Sequence, residues 1–153
     1  MVDSSVAADV DAVMRAARVI SAIIAGSVAQ TDDAVTMPQL RALVLVATRA
    51  EVNASAVAHS LSIHLSNASR LCDRLVQAGW LDRRQSSDDR RNLVLSLTPA
   101  GSRLLASVMD HRRRAFAAIL LRMPTAGRAA LIAGLNEFAD TAGEPDERDL
   151  LLP

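Results

Sequence analysis

The spacing of apolar residues changes along the chain from a helical to an alternating pattern and then back again. Over most of its length they recur every three or four positions, which predicts α-helices. Residues 93–97 alternate instead, with leucines on one side and Val94 and Ser96 on the other, which predicts a strand that pairs with the short stretch after Trp80. The predicted fold class is therefore mainly α with a small β-hairpin. The predicted helices begin near residue 36 and residue 66, cover residues 6–29, 53–61 and 98–123, and include a last segment after residue 124.

Residues 36–98 have the element order of a winged helix-turn-helix, which is three helices followed by a hairpin. Thr36 and Gln39 have the spacing of a capping box, and Pro38 suits the first helical turn. The linker at residues 62–65 is short enough to join two helices of a helix-turn-helix. The helix that follows, with Ser66 as its predicted N-cap, would be the recognition helix.

The predicted recognition helix is amphipathic. Ala68, Leu71, Cys72 and Leu75 form one apolar stripe that would face the core. The opposite side mixes short polar groups with guanidinium groups, which are the types that bond base edges and phosphates in a major groove. A solvated face without any ligand is the alternative for such a composition. The residues expected to face DNA are Ser66, Asn67, Ser69, Arg70 and Arg74.

The turn of the predicted hairpin carries a cluster of charges. Arg90 and Arg91 at an exposed tip would reach the DNA backbone or a narrow minor groove, where negative potential is concentrated. Asp89, two residues before Arg91, would hold that side chain or the loop by a charge-assisted hydrogen bond. The hairpin is therefore predicted to act as the wing.

Long apolar helices flank this region on both sides. The helix at residues 98–123 would be on the order of 35 Å long, more than the core of a small domain requires. Such helices make sense if two chains bury them together, whereas the alternative is that they close over the core of one chain. The predicted organisation is an N-terminal dimerisation helix at residues 1–30, a DNA-binding lobe at 36–98, C-terminal dimerisation helices at 99–143 and an acidic tail at 144–153.

Charge is the feature of the composition that most changes this picture. The 153 residues carry 17 basic and 17 acidic side chains, and every basic one is arginine. The charge is segregated, because residues 65–95 hold six arginines against four aspartates, whereas residues 137–153 hold six acidic residues against Arg148. The modest basic excess predicts moderate, salt-sensitive DNA affinity.

Cysteine usage and hydropathy give an expectation for the compartment. A single cysteine excludes an internal disulfide framework and fits a reducing environment. No apolar run is expected to approach the roughly 18 residues that span a membrane. A cytoplasmic protein without a membrane partner is therefore expected.

The sequence resembles the MarR family of bacterial transcription regulators over nearly the whole chain. The most specific parts are residues 66–81, SNASRLCDRLVQAGWL, the Asp-Arg-Arg triplet at 89–91, and residues 97–101. The resemblance implies a homodimer that binds palindromic operators, usually represses genes and is often released by a small ligand. It also implies that Asp89 and Arg91 position the wing and contact the minor groove. By the same resemblance Asp73 pairs with a wing arginine, and so supports the reading surface without reading bases.

His111 and Arg112 interrupt the apolar stripe of the long C-terminal helix. Arg112 should point toward packing, and a buried charge needs a partner. We expect an interhelical or intersubunit ion pair with Asp9 or Asp11 of the first helix. The alternative is an anion-binding pocket between the dimerisation helices and the DNA-binding lobe, where the resemblance places effectors. Its candidate residues are Arg15, Arg18, His111 and Arg112.

Other chemistry finds little support in the sequence. Nucleotide-binding glycine motifs, zinc-protease motifs and nucleophile elbows are all missing, so an enzyme is not expected. His59, His64 and His111 lack metal-ligand spacing, and neither a metal nor a cofactor is expected. Cys72 is expected to be an inert buried thiol. The predicted function is a sequence-specific regulator that binds double-stranded DNA, and the alternative is an interaction module that keeps the fold without specific DNA binding.

Overall fold

The computed structural model describes residues 4–29, 35–86 and 93–143. Within these ranges it is mainly helical with one two-stranded antiparallel sheet, which confirms the predicted fold class. The acidic tail predicted for residues 144–153 lies outside the described residues. The elements in chain order are α1 (Ser4–Ala29), α2 (Met37–Thr48), α3 (Ala54–Leu61), α4 (Leu65–Gln77), β1 (Leu81–Gln85), β2 (Leu93–Leu97), α5 (Pro99–Leu120) and α6 (Thr125–Ala142).

The hydrophobic core lies in the central lobe, which we define as α2, α3, α4 and the hairpin. Leu43 of α2, Val57 of α3 and Leu75 of α4 are fully buried there. Val108 brings the first half of α5 onto the same cluster. Because each helix contributes its apolar stripe, the lobe holds α4 firmly by one side and leaves the other side to solvent.

Short polar contacts start the first two helices of the central lobe. The backbone N–H of Thr36 donates to Oε1 of Gln39 at 2.8 Å, with Pro38 in the first turn, as the sequence predicts. Oδ1 of Asn53 accepts from the N–H of Ala56 at 2.9 Å and so caps α3.

The hairpin pairs Leu81–Gln85 with Leu93–Leu97 in antiparallel register. The strand predicted from the alternation of residues 93–97 is confirmed, although burial does not alternate along it, because Leu93 is exposed whereas Val94 and Leu95 are both buried. Successive strand residues point to opposite sides, so the burial of both Val94 and Leu95 means that both sides of the hairpin are covered at these two residues. On the side of Leu95, the segment between α2 and α3 adds a bridge in which the N–H of Leu95 donates to the oxygen of Val52 at 2.7 Å. Tertiary packing therefore overrides the local pattern.

A close contact at Gly101 fixes the start of α5 against the end of α4. A Cβ at this position would lie 2.1 Å from the carbonyl oxygen of Trp80, so only glycine fits. Thr98 supports the same junction, since its Oγ1 accepts from the N–H of Gly101 at 3.0 Å and donates to the oxygen of Gly79 at 2.6 Å. Gly79 follows the apolar stripe of α4, a position at which the sequence predicts a left-handed glycine that ends the helix, and its φ is 74°.

The C-terminal helices break earlier than predicted. Helix α5 ends at Leu120, three residues before the expected end near Met123. The residue before a proline avoids the helical conformation, so Pro124 keeps Met123 out of the helix and the chain turns before it. Helix α6 then follows to Ala142 and ends at Gly143, whose φ is 75°.

The terminal helices bury little of their surface. Helix α1 packs along α5, yet Ser27 is its one buried residue among those with described side chains. Val10 and Met14 of α1 remain exposed, as do Leu135 and Phe138 of α6, which buries no residue at all. A single chain therefore leaves these apolar faces uncovered.

The expectation that no segment reaches membrane-spanning length was wrong for α1. Val6–Ala29 is long and apolar enough to cross a membrane by length and composition, with a mean hydropathy of 1.5. Its charged residues all lie at positions 9–18, and alanines occupy many of the positions between its large apolar residues. The charged residues interrupt every long apolar run, so a search for uninterrupted runs did not reveal the high mean hydropathy of the segment.

Candidate nucleic-acid interface

Helix α4 presents a polar surface opposite its buried stripe. Ala68, Cys72 and Leu75 are buried as predicted, which leaves the other side of the helix free. At about 100° per residue, the exposed polar residues fall within an arc of about 120° around the helix axis. Ser69 is half-buried and lies at the edge of this arc. The exposed side chains are Ser66, Asn67, Arg70, Asp73, Arg74 and Gln77, which we call the polar arc.

The start of α4 differs from the prediction. The N-cap is His64 and not Ser66, which lies in the first turn with its side chain exposed. The oxygen of His64 accepts from the N–H groups of Asn67 and Ala68, each at 3.0 Å. The reason is the turn before it, where Ser62 takes a left-handed conformation with φ 54° and ends α3 without a glycine. The hydroxyl of Ser66 is therefore on the polar arc and is not used in a cap.

An ion pair links the polar arc to the hairpin. Arg83 of β1 donates from Nη2 to Oδ1 of Asp73. Both side chains are about half exposed, and exposed pairs contribute at most about 1 kcal/mol. The pair therefore matters for how β1 is oriented against α4 more than for stability. The sequence expectation that Asp73 contacts a wing arginine is met by this contact, while its supporting role stays a prediction.

The predicted wing residues Asp89, Arg90 and Arg91 lie outside the described residues. The described part of the hairpin adds one cation that the sequence reasoning did not include among the DNA contacts. Arg84 is exposed on β1 and follows directly after Arg83. Two adjacent arginines before a charged turn were the signal that could have identified it.

Cys72 lies on the core side of α4 and is buried. Burial is the main cause that raises the pKa of its thiol, with a smaller raise from Asp73 and opposing effects of Arg83 and of a backbone hydrogen bond. The thiol is therefore protonated at neutral pH, as expected for an unreactive cysteine. The described residues hold no group of His, Cys, Asp or Glu side chains that could bind a metal ion.

Arg112 of α5 has a partner other than the one predicted. Its Nε donates to Oγ of Ser27 at 2.9 Å, and Oγ of Ser27 donates to the oxygen of Ile24 at 2.6 Å. The expected pair with Asp9 or Asp11 within one chain was wrong, because Asp11 lies about 24 Å before Ser27 along α1. A pair across two subunits stays a prediction. The sequence alone does not give the register of α1 on α5.

A cavity of about 820 Å³ opens between α1, α2 and α5 beside this contact. Its apolar walls include Ile24 and Phe116, and its polar lining includes four arginines and none of the described acidic residues. Nη2 of Arg112 is buried there without a hydrogen-bond partner among the described residues, and burial lowers the pKa of this guanidinium. The four lining arginines are Arg41, Arg49, Arg112 and Arg113.

The structure brings only one of the candidate effector residues to this cavity. Arg112 lines the cavity, but Arg15 and Arg18 are exposed on α1 and His111 is half-buried on α5, and none of these three lines it. The register of the helices decides this result, since Arg15 and Arg18 lie more than two turns before Ser27 along α1.

Comparison with protein families identifies the central lobe. The model of the MarR family matches residues 35–93, which cover α2 through the start of β2. Among solved structures, the chain is similar to RV1404 from Mycobacterium tuberculosis, with 36% identity and a TM-score of 0.82 over 95% of this chain and 99% of that one.

Curated relatives match shorter stretches. An uncharacterized HTH-type transcriptional regulator, YfiV of Bacillus subtilis (strain 168), is 31% identical over 49% of this chain and 47% of its own length. The transcriptional repressor MprA of Escherichia coli (strain K12) is 38% identical over 38% of this chain and 33% of its own length. The chain thus spans less than half the length of these two curated relatives.

Proposed function

The chain belongs to the MarR family, and from this premise we propose that it is a sequence-specific regulator of transcription that binds double-stranded DNA as a homodimer. Members of this family are transcriptional regulators and not enzymes. The observation that carries the proposal is the polar arc of α4, a row of exposed polar and cationic groups on a helix whose other side is buried. We further propose repression as its mode, as in the name of the relative MprA.

The polar arc divides into two kinds of contact. Arg70 and Arg74 can bond guanine or phosphate bidentately, and Asn67 can bond adenine. Ser66 reaches a phosphate from the first turn, and Ser69 at the edge of the arc would contact DNA less directly. Asp73 is already held by Arg83, so its carboxylate faces a cation and is partly neutralised toward DNA.

The hairpin is proposed as the wing. Arg90 and Arg91 would contact the backbone or the minor groove with Asp89 as their orienting group, an assignment that rests on the resemblance of the sequence. The described base of the hairpin supports it, because β1 and β2 are paired in register and β1 is tied to α4. Exposed Arg84 would add a phosphate contact beside them.

Two copies of the chain would join through the terminal helices. The apolar faces of α1 and α6 are uncovered in one chain, and contiguous exposed apolar surface of this kind marks an interaction site. A two-fold dimer of this kind would read an inverted repeat whose half-sites lie about 10 bp apart. Residues 1–30 and 99–143 would then be the dimerisation region, and a cytoplasmic location follows from access to the promoter.

DNA binding can be measured by fluorescence anisotropy with duplexes that tile the promoter of the protein's own gene, across a series of salt concentrations. We expect tight binding to one palindromic duplex at two chains per site. Arg74→Ala should lower the slope of log Kd against log salt concentration by about one, because one phosphate contact is lost. Arg70→Ala should weaken specific binding by about 10-fold or more. Arg122→Ala, which removes an exposed arginine in the turn between α5 and α6, is the matched control.

Three results would contradict the proposal. Equal weak binding to every duplex would indicate a non-specific role, and no binding at low salt would favour the interaction module. Specific binding that survives Arg70→Ala combined with Arg91→Ala would show that α4 and the hairpin are not the reading surface.

A second function is proposed for the cavity, which is to bind a small organic anion that releases DNA. The observation behind it is Arg112, which lines the cavity with three further arginines and whose Nη2 is buried without a hydrogen-bond partner among the described residues. A carboxylate would pair with this group, while its apolar body would contact Ile24, Val44 and Phe116. With Phe116 as the aromatic side chain of the lining, aliphatic bodies fit as well as aromatic ones.

Octanoate and benzoate are suitable probes of this cavity, with octanol and benzyl alcohol as uncharged controls. We expect the acids to raise the Tm of the protein and to weaken its DNA binding, and Arg112→Met to abolish both effects. Equal effects of the alcohols, or acid effects that persist in Arg112→Met, would exclude Arg112 as the anion site.

A further inference from the structure

The segment between α2 and α3 holds both strands of the hairpin. Val52 in this segment is buried and pairs with Leu95 of β2 through the backbone. Its neighbour Glu51 reaches the end of β1, where Oγ of Ser86 donates to Oε2 of the Glu51 carboxylate at 2.5 Å. Ser86 is only 5% exposed, so this contact is shielded from solvent. One short segment therefore fixes β2 by its backbone and the end of β1 by a side chain.

The backbone of Glu51 is unfavourable for its residue type. Its φ is 56°, in the left-handed region that glycine and asparagine adopt at least cost. A longer side chain persists in such a conformation when the surrounding contacts hold it there. The hydrogen bond from Ser86 is one such contact at Glu51.

The place of this contact in the chain gives it a consequence for DNA binding. Ser86 is the last described residue before residues 87–92, which contain the proposed wing arginines Arg90 and Arg91. Asp73 and Arg83 tie the middle of β1 to α4, whereas Glu51 and Ser86 tie its end to the segment between α2 and α3. Together the two contacts fix the direction in which the chain enters the turn.

We propose that Glu51 is a positioning residue for DNA binding, whose carboxylate holds Ser86 so that the hairpin and α4 engage the same duplex. The proposal rests on the proposed function, because it assigns Glu51 a part in the same interface. Glu51 touches no DNA in this scheme. A carboxylate near phosphates would otherwise weaken binding by repulsion, so its effect on affinity has the opposite sign to that of a simple charge.

Four variants separate position from charge. Glu51→Ala removes the carboxylate and keeps a side chain in the left-handed conformation, whereas Glu51→Gly removes both the carboxylate and the strain. Glu51→Gln keeps an acceptor for Ser86 without the charge, and Ser86→Ala removes the donor. Each is measured by anisotropy on the specific duplex and on a scrambled duplex over a salt series, with the Tm measured in parallel.

Glu51→Ala, Glu51→Gly and Ser86→Ala should each weaken specific binding by about 10-fold, the order expected for a hydrogen bond to a charged group. Combining Glu51→Ala with Ser86→Ala should cost no more than either alone, because both remove one contact. Glu51→Gln should stay within about 3-fold of the wild type. The salt dependence and the binding of the scrambled duplex should stay unchanged, since no phosphate contact is lost.

Other outcomes overturn the inference. Tighter binding in both Glu51→Ala and Glu51→Gln would mean that Glu51 acts only as a negative charge, and additive losses in the double variant would mean that the two residues act separately. Wild-type affinity in Glu51→Ala would remove the role altogether. If Glu51→Ala fails to fold, Glu51→Gly and Ser86→Ala decide the matter. A wild-type protein that binds no duplex would contradict the proposed function itself and is distinguishable from all of these results.

Discussion

The central lobe and the terminal helices use similar apolar residues in opposite ways. In the lobe, leucines and valines such as Leu40, Leu43 and Val57 are removed from solvent almost completely. In α1 and α6, residues of the same kinds stay largely exposed, and the described side chains of α6 include no buried one. The lobe therefore completes its own core, whereas the terminal helices present a surface that a second chain can cover.

This difference also separates two kinds of sequence signal. For a helix that packs inside one chain, the apolar stripe, the capping residue and the turn residue all predict the same helix. A helix that packs on a second copy shows the same stripe, but the sequence does not say which chain covers it. The hydropathy of α1 shows the ambiguity directly, because its length and composition also satisfy the requirements of a membrane span.

The largest effect is expected from a cavity in the central lobe. Leu43→Ala should lower the free energy of unfolding by about 2–5 kcal/mol, because Leu43 is fully buried and the lobe cannot collapse around the space. Urea denaturation at a fixed protein concentration measures this change. Leu93→Ala is the matched control in the same lobe, since Leu93 is 58% exposed and should change stability by about 0.5 kcal/mol or less. Equal losses in both variants would mean that the lobe core is not where the burial indicates.

The next effect concerns the terminal helices. Phe138→Glu should weaken dimerisation by about 100-fold, because a charge would be buried in the contact that this 61% exposed side chain is proposed to make. Leu93→Glu is a control of nearly equal exposure on the central lobe, and it should leave dimerisation unchanged. Sedimentation equilibrium measures both, with circular dichroism to confirm the helices. An unchanged dissociation constant in Phe138→Glu, or an equal loss in Leu93→Glu, would contradict the assignment of α6 to the interface.

Much of the central lobe could be predicted because its signals are local. The capping box at Thr36 and Gln39, the glycine turn at Gly79 and the buried stripe with Cys72 each involve residues within one or two turns of one another. Their geometry depends on backbone rules that the sequence carries directly. These predictions match the structure residue by residue.

The predictions that failed depend on contacts between distant segments. The cap moved from Ser66 to His64 because a left-handed serine ended α3, a conformation that no glycine signalled. The bridge between Val52 and Leu95 was not predicted, because the two residues are 43 positions apart in the chain. Glu51 was missed for the same reason, since its partner is 35 residues away.

Arg112 lies where α5 meets α1, between the central lobe and the terminal helices. Its substitution should change stability less than the changes above. Arg112→Met should keep the free energy of unfolding within about 1 kcal/mol of the wild type, because a buried guanidinium with an unpaired Nη2 costs about as much as its bond to Ser27 contributes. Arg114→Met is the control, because Arg114 is exposed on α5 and does not line the cavity. A loss of about 3 kcal/mol or more in urea denaturation would show that Arg112 is fully paired and holds α1 on α5.

The smallest effect is a pH dependence from the core of the lobe. Burial raises the pKa of Cys72 above its ordinary value of 9.0, so the folded protein keeps the thiol proton that the unfolded chain releases. The stabilisation is complete below the ordinary thiol pKa and is lost as the pH rises toward the folded-state value. The difference in free energy of unfolding between the wild type and Cys72→Ala should therefore be constant from pH 6 to 8.

Above that range the wild type should lose stability relative to Cys72→Ala, by less than about 1 kcal/mol near pH 9.5. Urea denaturation at each pH measures the change, and the comparison of slopes removes the constant cost of the missing sulfur. A difference that grows in favour of the wild type with rising pH would mean that a nearby cation lowers the thiol pKa more than burial raises it. Arg83 is that cation. If the expected loss of stability above pH 8 also occurs when Arg83→Gln is present in both proteins, burial alone explains its sign. The terminal helices offer no such test, because a core that excludes water is what makes the ionisation of Cys72 depend on folding.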